Sequence, residues 1–182
     1  MPITDNVSPL IIFQPFNILV WFAFFSPIIL ATSITGLSFI FQNFKGLIYL
    51  AFLVGCCVVR YFLYMISGVE PMTNDNTICN SIQYSKYGNA SFSAFVFAFT
   101  IAYLALPMFK NGDVNFWILT TLFMYFSLDI LTKMNKNCIT SFADLFMNIV
   151  IGFFSSATIV MLMYFGGSDK FLFFNEVSKN KN

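Results

Sequence analysis

The sequence contains no histidine in 182 residues, and only 9% of it is Asp, Glu, Lys or Arg. Without histidine, the commonest general base and the commonest metal ligand are both missing. No two of the four cysteines have CxxC spacing, so a zinc centre is not expected, nor is any cofactor. The scarcity of charge excludes an ordinary soluble domain, whose surface needs far more of it. The net charge is +1, with no basic arm and no long charge run, so nothing here would hold nucleic acid. Neither an internal repeat nor a soluble domain is visible.

What is present is apolar. Hydrophobic residues make up 58% of the chain and its mean hydropathy is +0.78, which makes the bilayer its solvent. Phenylalanine is abundant, at 26 residues, and asparagine is frequent. A genome rich in A and T favours both, as in some large DNA viruses or organelles.

A transmembrane helix needs about 20 mostly apolar residues. Five stretches qualify, Asn17–Ile40, Gly46–Ile66, Ser91–Phe109, Asn115–Thr132 and Ala143–Gly166. The fold class is therefore all-α, a polytopic membrane protein with a bundle of about five transmembrane helices over 17–166. Residues 1–16 include PLIIFQPF (Pro9–Phe16), too short to span, and read as an interfacial segment. The first span, with no basic region before it, is expected to stay in place as a signal anchor. Residues 167–182 form a short polar tail, expected to be disordered after Phe174.

Lysines outside the spans set the orientation. Lys86, Lys133 and Lys136 fall on the side of the N-terminus, and Lys45, Lys110, Lys170, Lys179 and Lys181 on the other. The excess makes the C-terminal side cytoplasmic and the N-terminal side lumenal or exterior. Both N-x-S/T patterns, Asn6-Val7-Ser8 and Asn89-Ala90-Ser91, fall on the non-cytoplasmic side. Cys56 and Cys57 lie within the second span and read as small packing residues. Cys79 and Cys138 sit in two loops on the non-cytoplasmic side. They are either two free thiols or, in an oxidising lumen, a disulfide tying those loops together.

Each charge within a span costs about 2.5–3.5 kcal/mol on insertion scales, so it needs a partner or a purpose. Arg60 and Asp129 lie at similar depth near the non-cytoplasmic ends of the second and fourth spans. Opposite charge suggests an interhelical ion pair, and the alternative for Arg60 is snorkelling to lipid phosphate. Asp144 and Asn148 share one face of the fifth helix at its start. There Asp144 meets the positive end of the helix dipole, with Ser141 as N-cap three residues earlier. Gly152, Ser155 and Ser156 continue that helix as small residues that permit close packing.

Pro71 in the loop after the second span, Ser91 at the head of the third, and Asp144, Asn148 and Gly152 at the start of the fifth, in this order over residues 46–166, resemble the layout of the type 2 phosphatidic acid phosphatase family of membrane lipid phosphatases. That family carries the motifs KxxxxxxRP, PSGH and SRxxxxxHxxxD, the third often continuing D-V-x-x-G. Placing Gly152 on that glycine puts Asn148 at the Asp, Asp144 at the His and Asn137-Cys138 at the Ser-Arg pair. Ala90-Ser91-Phe92-Ser93, followed by Ala94, stands at the second motif, and Glu70-Pro71 at the Arg-Pro of the first, with Leu63 at its Lys. In the family the third-motif His is the nucleophile, oriented by the Asp, and the second-motif His protonates the leaving group. Lys and the Arg residues hold phosphate. All of these positions are changed here. The resemblance therefore implies a catalytically inactive relative, lacking both the nucleophile and the charge that phosphoryl transfer needs.

The expected function is a non-catalytic structural component of a larger membrane assembly, such as the inner membrane or membrane–capsid layer of a large DNA virus. The alternatives are an accessory membrane subunit of an organellar respiratory complex, or a lipid-phosphatase-like protein that binds anionic lipid near Arg60. Expected partners are membrane lipid and other subunits of the assembly; a small-molecule substrate is not expected.

Overall fold

A computed structural model of the chain describes residues 15–68, 79, 82–139 and 141–174. Among them are six α-helices and no strand: α1 (Pro15–Phe24), α2 (Ser26–Ile40), α3 (Lys45–Ile66), α4 (Phe92–Asn111), α5 (Phe116–Asn135) and α6 (Phe142–Phe165). A 3-10 turn, Asp169–Phe171, follows. Glu70-Pro71, the Asn6 triplet, Lys179 and Lys181 lie outside the described residues.

Helices α3 to α6 have 22, 20, 20 and 24 residues and are apolar enough to cross a membrane. At 1.5 Å per residue each is at least about 30 Å long, the thickness of the hydrocarbon layer. Their bounds fall close to the four later spans read from hydropathy.

The first span differs. It is broken at Phe25 and bent by 73° into α1 and α2, so among the described residues four helices are long and apolar enough to span, or five spans if the bent pair counts as one. Pro27 supplies no N–H to the carbonyl one turn back, which frees the helix to kink. Two carbonyls just before the break are taken up by distant side chains. The Tyr125 hydroxyl donates to Phe22 O at 3.0 Å and the Tyr84 hydroxyl to Phe24 O at 2.8 Å. The break therefore leaves few backbone groups without a partner in lipid, where each would be costly.

α4 is the central helix. In its most hydrophobic stretch 78% of residues are buried, against 28% or less in the other three long helices. It alternates small and large residues: Ala94, Ala98, Ala102 and Ala105 let neighbours approach, while Phe95, Phe99 and Tyr103 fill the space between them. Tyr103 and Phe99 stack, and Tyr49 of α3 meets Tyr103 edge-on. The Tyr49 and Thr100 hydroxyls share a buried hydrogen bond of 2.7 Å. α6 runs parallel to α4 and packs along most of its length. At their crossing a Cβ on Gly152 would stand 2.5 Å from Phe95 O and 3.2 Å from Ala98 Cβ, so only glycine fits. α2 and α3 form a second tight pair: Ser38 Oγ accepts from Gly46 N at 2.8 Å, where a Cβ on Gly46 would overlap Ser38 Cβ.

Residues 167–174, read as the beginning of a polar tail, fold back on the bundle. Leu172 is fully buried, Phe173 packs edge-on against Tyr103, and Asn111 Nδ2 donates to Phe174 O at 3.0 Å. Outward-facing positions carry large apolar side chains. Ile66, Trp117 and Phe165 are each more than four-fifths exposed, as lipid-facing residues are.

Gly152→Val is expected to destabilise the bundle by about 1–3 kcal/mol through overpacking. Gly55→Ala, where nothing stands within 4 Å of the new Cβ, is expected to be neutral or mildly stabilising. Denaturation of both variants in micelles, followed by circular dichroism, checks the contrast.

Candidate functional site

The charges inside the bundle gather at one end, where α3 finishes and α4 and α6 begin. They form two clusters rather than the single ion pair expected.

The first is built on Asp129. Its carboxylate accepts from Ser26 Oγ at 2.7 Å and Ser93 Oγ at 2.6 Å, and pairs with Lys133 Nζ at 3.0 Å. Lys133 also donates to Ser93 Oγ at 2.5 Å. Asp129, Lys133, Ser26 and Ser93 are all buried. One carboxylate thus fastens the start of α2 and the start of α4 to α5. Lys133, read from the sequence as a loop charge, lies in the last turn of α5, because the helix runs on to Asn135.

The second cluster is built on Arg60 and the start of α6. Arg60 Nε donates to Asn148 Oδ1 at 2.7 Å, and Nη2 to Gly88 O at 3.1 Å. Its guanidinium lies 4.7 Å from the centre of the Tyr64 ring, 5.3 Å from that of Phe92 and 5.8 Å from that of Phe95. Asp144 accepts from Tyr64 Oη at 2.8 Å, from Asn148 Nδ2 at 3.2 Å, and from Ser91 Oγ in a very short bond. Ser141 Oγ accepts from Asp144 N at 3.4 Å, the N-cap that the spacing predicts. Asp144 and Asn148 do lie on one face of α6, but that face looks onto α3 and the start of α4.

The expected Arg60–Asp129 contact is therefore not formed. Depth matched the two charges, but each has a nearer partner. Lys133 stands four residues from Asp129 on the same helix, where side chains meet. Arg60 faces α6 and takes Asn148.

Gly88 closes the second cluster from above. Its φ of +54° lies in the left-handed region. A Cβ there would be 3.0 Å from Arg60 Nη2 and 3.4 Å from both Asp144 Oδ2 and Ser91 Oγ. Conformation and space both demand glycine. The loop below is shaped by Asn89, whose side chain accepts from Tyr84 N at 2.8 Å and donates to Ile82 O at 2.8 Å. Burial, helped by the Asp129 carboxylate, pushes the Tyr84 phenol up to about 12. It remains a hydrogen-bond donor to Phe24 O at any ordinary pH.

Cys79 and Cys138 form a disulfide, with their Cα atoms 5.5 Å apart, inside the usual range. It is buried against Phe24, with Ile82 and Ala90 alongside. It ties the loop before α4 to the loop before α6. Two crossings, α4 and α5, separate the cysteines, so both loops emerge on one side. Cys56 and Cys57 are free and half-buried in α3.

Chemically, these clusters are donor and acceptor sets that satisfy each other. Asp144 accepts from three side-chain donors, and Ser91 and Arg60 are almost fully buried. Among the described residues no three His, Cys, Asp or Glu groups are placed to hold a metal ion. Ser26, Tyr64 and Gly88 were not foreseen, and Ser93 only as a position of the second motif, not as a partner of Asp129 and Lys133. Tyr64 carries a signal in its i,i+4 relation to Arg60, as Lys133 does to Asp129. No family of known proteins, no curated protein and no solved structure matches the chain.

Asp129→Asn is expected to cost about 3–5 kcal/mol, because Lys133 is left buried without its counter-charge. Adding Lys133→Met should recover part of that loss, and a double-mutant cycle in micelles measures the coupling. Gly88→Ala should destabilise the fold, whereas Gly112→Ala, also at positive φ but with nothing within 4 Å, pays only the backbone strain; the difference in their unfolding free energies isolates the contact with Arg60 and Asp144.

Proposed function

We propose that this chain is a non-catalytic structural component of a multi-subunit membrane assembly, such as the membrane layer of a large DNA virus particle. The observation that carries this reading is how the intramembrane polar groups are used. Arg60, Asp129, Lys133, Asp144 and Asn148 contact other side chains of the bundle, while its outer faces carry large apolar and aromatic residues. Such faces suit lipid or the helices of neighbouring subunits, where aromatic side chains pack well. In this reading the disulfide end faces the non-cytoplasmic, oxidising side and the C-terminus is cytoplasmic. The disulfide and the lysine distribution both support that direction.

Mild-detergent extraction from the native membrane should recover the chain with a fixed set of partner proteins, identified by mass spectrometry. Capsid proteins support the viral assembly, and respiratory subunits support an organellar complex instead. Recovery of the chain alone at every detergent concentration would count against both. Cysteine introduced at Lys86 should react with an impermeant maleimide from the non-cytoplasmic side only, and cysteine at Lys45 from the cytoplasmic side only.

A second reading is a lipid-phosphatase-like protein that has lost catalysis and keeps an anionic lipid near Arg60. It is favoured by the meeting of Ser91 with Asp144, positions that the family resemblance assigns to its second and third motifs, and by the contact of Asn148, also of the third, with Arg60. Under either reading the purified chain has no phosphatase turnover. Turnover lost in Asp144→Ala would replace both with an enzyme.

A further inference from the structure

At the opposite end of the bundle, α4 and α6 leave a space between them. Close enough at Gly152 to exclude a methyl group, they enclose a groove of about 590 Å³ further along, walled by Leu106, Phe109, Val160 and Met161. That is within the size range of ligand sites. Phe109 and Met161 are exposed, so the groove opens outward, onto what the bilayer supplies. One charge lines it. Lys110, in the last turn of α4, places Nζ 3.3 Å from the centre of the Tyr164 ring of α6. The ring's negative face holds the ammonium at the groove. The end of a span is also the depth at which lysine and tyrosine meet lipid head groups.

An apolar wall that ends in a single cation has a defined complement. We propose that this groove binds one acidic glycerophospholipid, an acyl chain lying along Phe109 and Met161 and the phosphate on the Lys110 ammonium. The site is independent of the Arg60 cluster, which lies at the other end of the bundle, and it does not rest on the structural role proposed above. Because the head group must match one positive charge, a lipid with net negative charge is preferred over a zwitterionic one.

The test uses the full chain in nanodiscs of equal palmitoyl-oleoyl phosphatidylglycerol and palmitoyl-oleoyl phosphatidylcholine, released and weighed by native mass spectrometry. One phosphatidylglycerol should be retained in preference to phosphatidylcholine. Lys110→Gln should lower that preference about fivefold, what one lysine contributes at an anionic surface, and Lys110→Arg should keep it. Met161→Trp, which fills the groove and leaves the cation, should lower retention as well, whereas Ile66→Trp at the opposite end should not. Positions 110, 161 and 66 are exposed, so circular dichroism should be unchanged in all four variants. Equal retention of the two lipids by the parent chain, or a preference indifferent to both Lys110→Gln and Met161→Trp, overturns the proposal. So does a cross-linked dimer formed through Met161→Cys and absent from the parent, which would give the groove to a second copy.

Discussion

A carboxylate carried below a membrane surface must collect its hydrogen bonds from the protein, and the arrangement around Asp129 follows from that need. Two serine hydroxyls and a lysine ammonium converge on it from α2, α4 and α5. Ser26 can reach it only if the first span breaks, because the residue stands at the start of α2, directly after the bend. The bend in turn is tolerated because Tyr84 and Tyr125 cover the carbonyls it exposes. The charge, the break and the two tyrosines form one set, and removing any member leaves another polar group stranded in hydrocarbon.

Apolar burial gives such a bundle little direction, since lipid is as apolar as leucine. Close packing at Gly152 and Gly46 brings α6 onto α4 and α3 onto α2, but similar small-residue contacts could form in other registers. The polar clusters choose among them. Asn148 meets Arg60 only if α6 sits beside α3 at one rotation, and Ser93 meets Asp129 only if α4 presents that face to α5. Each bond is modest in strength, about 0.6 kcal/mol on average within membranes, so their effect is on register and order more than on total stability.

The four later spans were legible in the sequence because they depend on length and apolar content alone. The helix start at Ser141 and Asp144 was legible because capping is local. The break at Phe25 was not. Ser26-Pro27 is visible, but proline is tolerated within membrane helices, and the hydroxyls that decide the matter lie 60 and 103 residues away. The partners of Arg60 and Asp129 were missed for a related reason. Depth can be counted along a helix, but the face a side chain presents depends on how neighbouring helices rotate. The folded-back segment through Leu172 was hidden by its polar surroundings in sequence.

The disulfide between Cys79 and Cys138 has a consequence for how the protein is made. It closes a covalent ring that contains α4 and α5 and leaves α1, α2, α3 and α6 outside. The ring cannot close until α5 has entered the membrane and returned Cys138 to the side where Cys79 waits. When it closes, the central helix is leashed to its neighbour at the end where the charged residues meet. α6 begins just after Cys138, outside the ring, and its place along α4 is set by the close packing at Gly152. The covalent link thus holds the central hairpin, while the helix that packs most extensively against α4 is held there by non-covalent contacts.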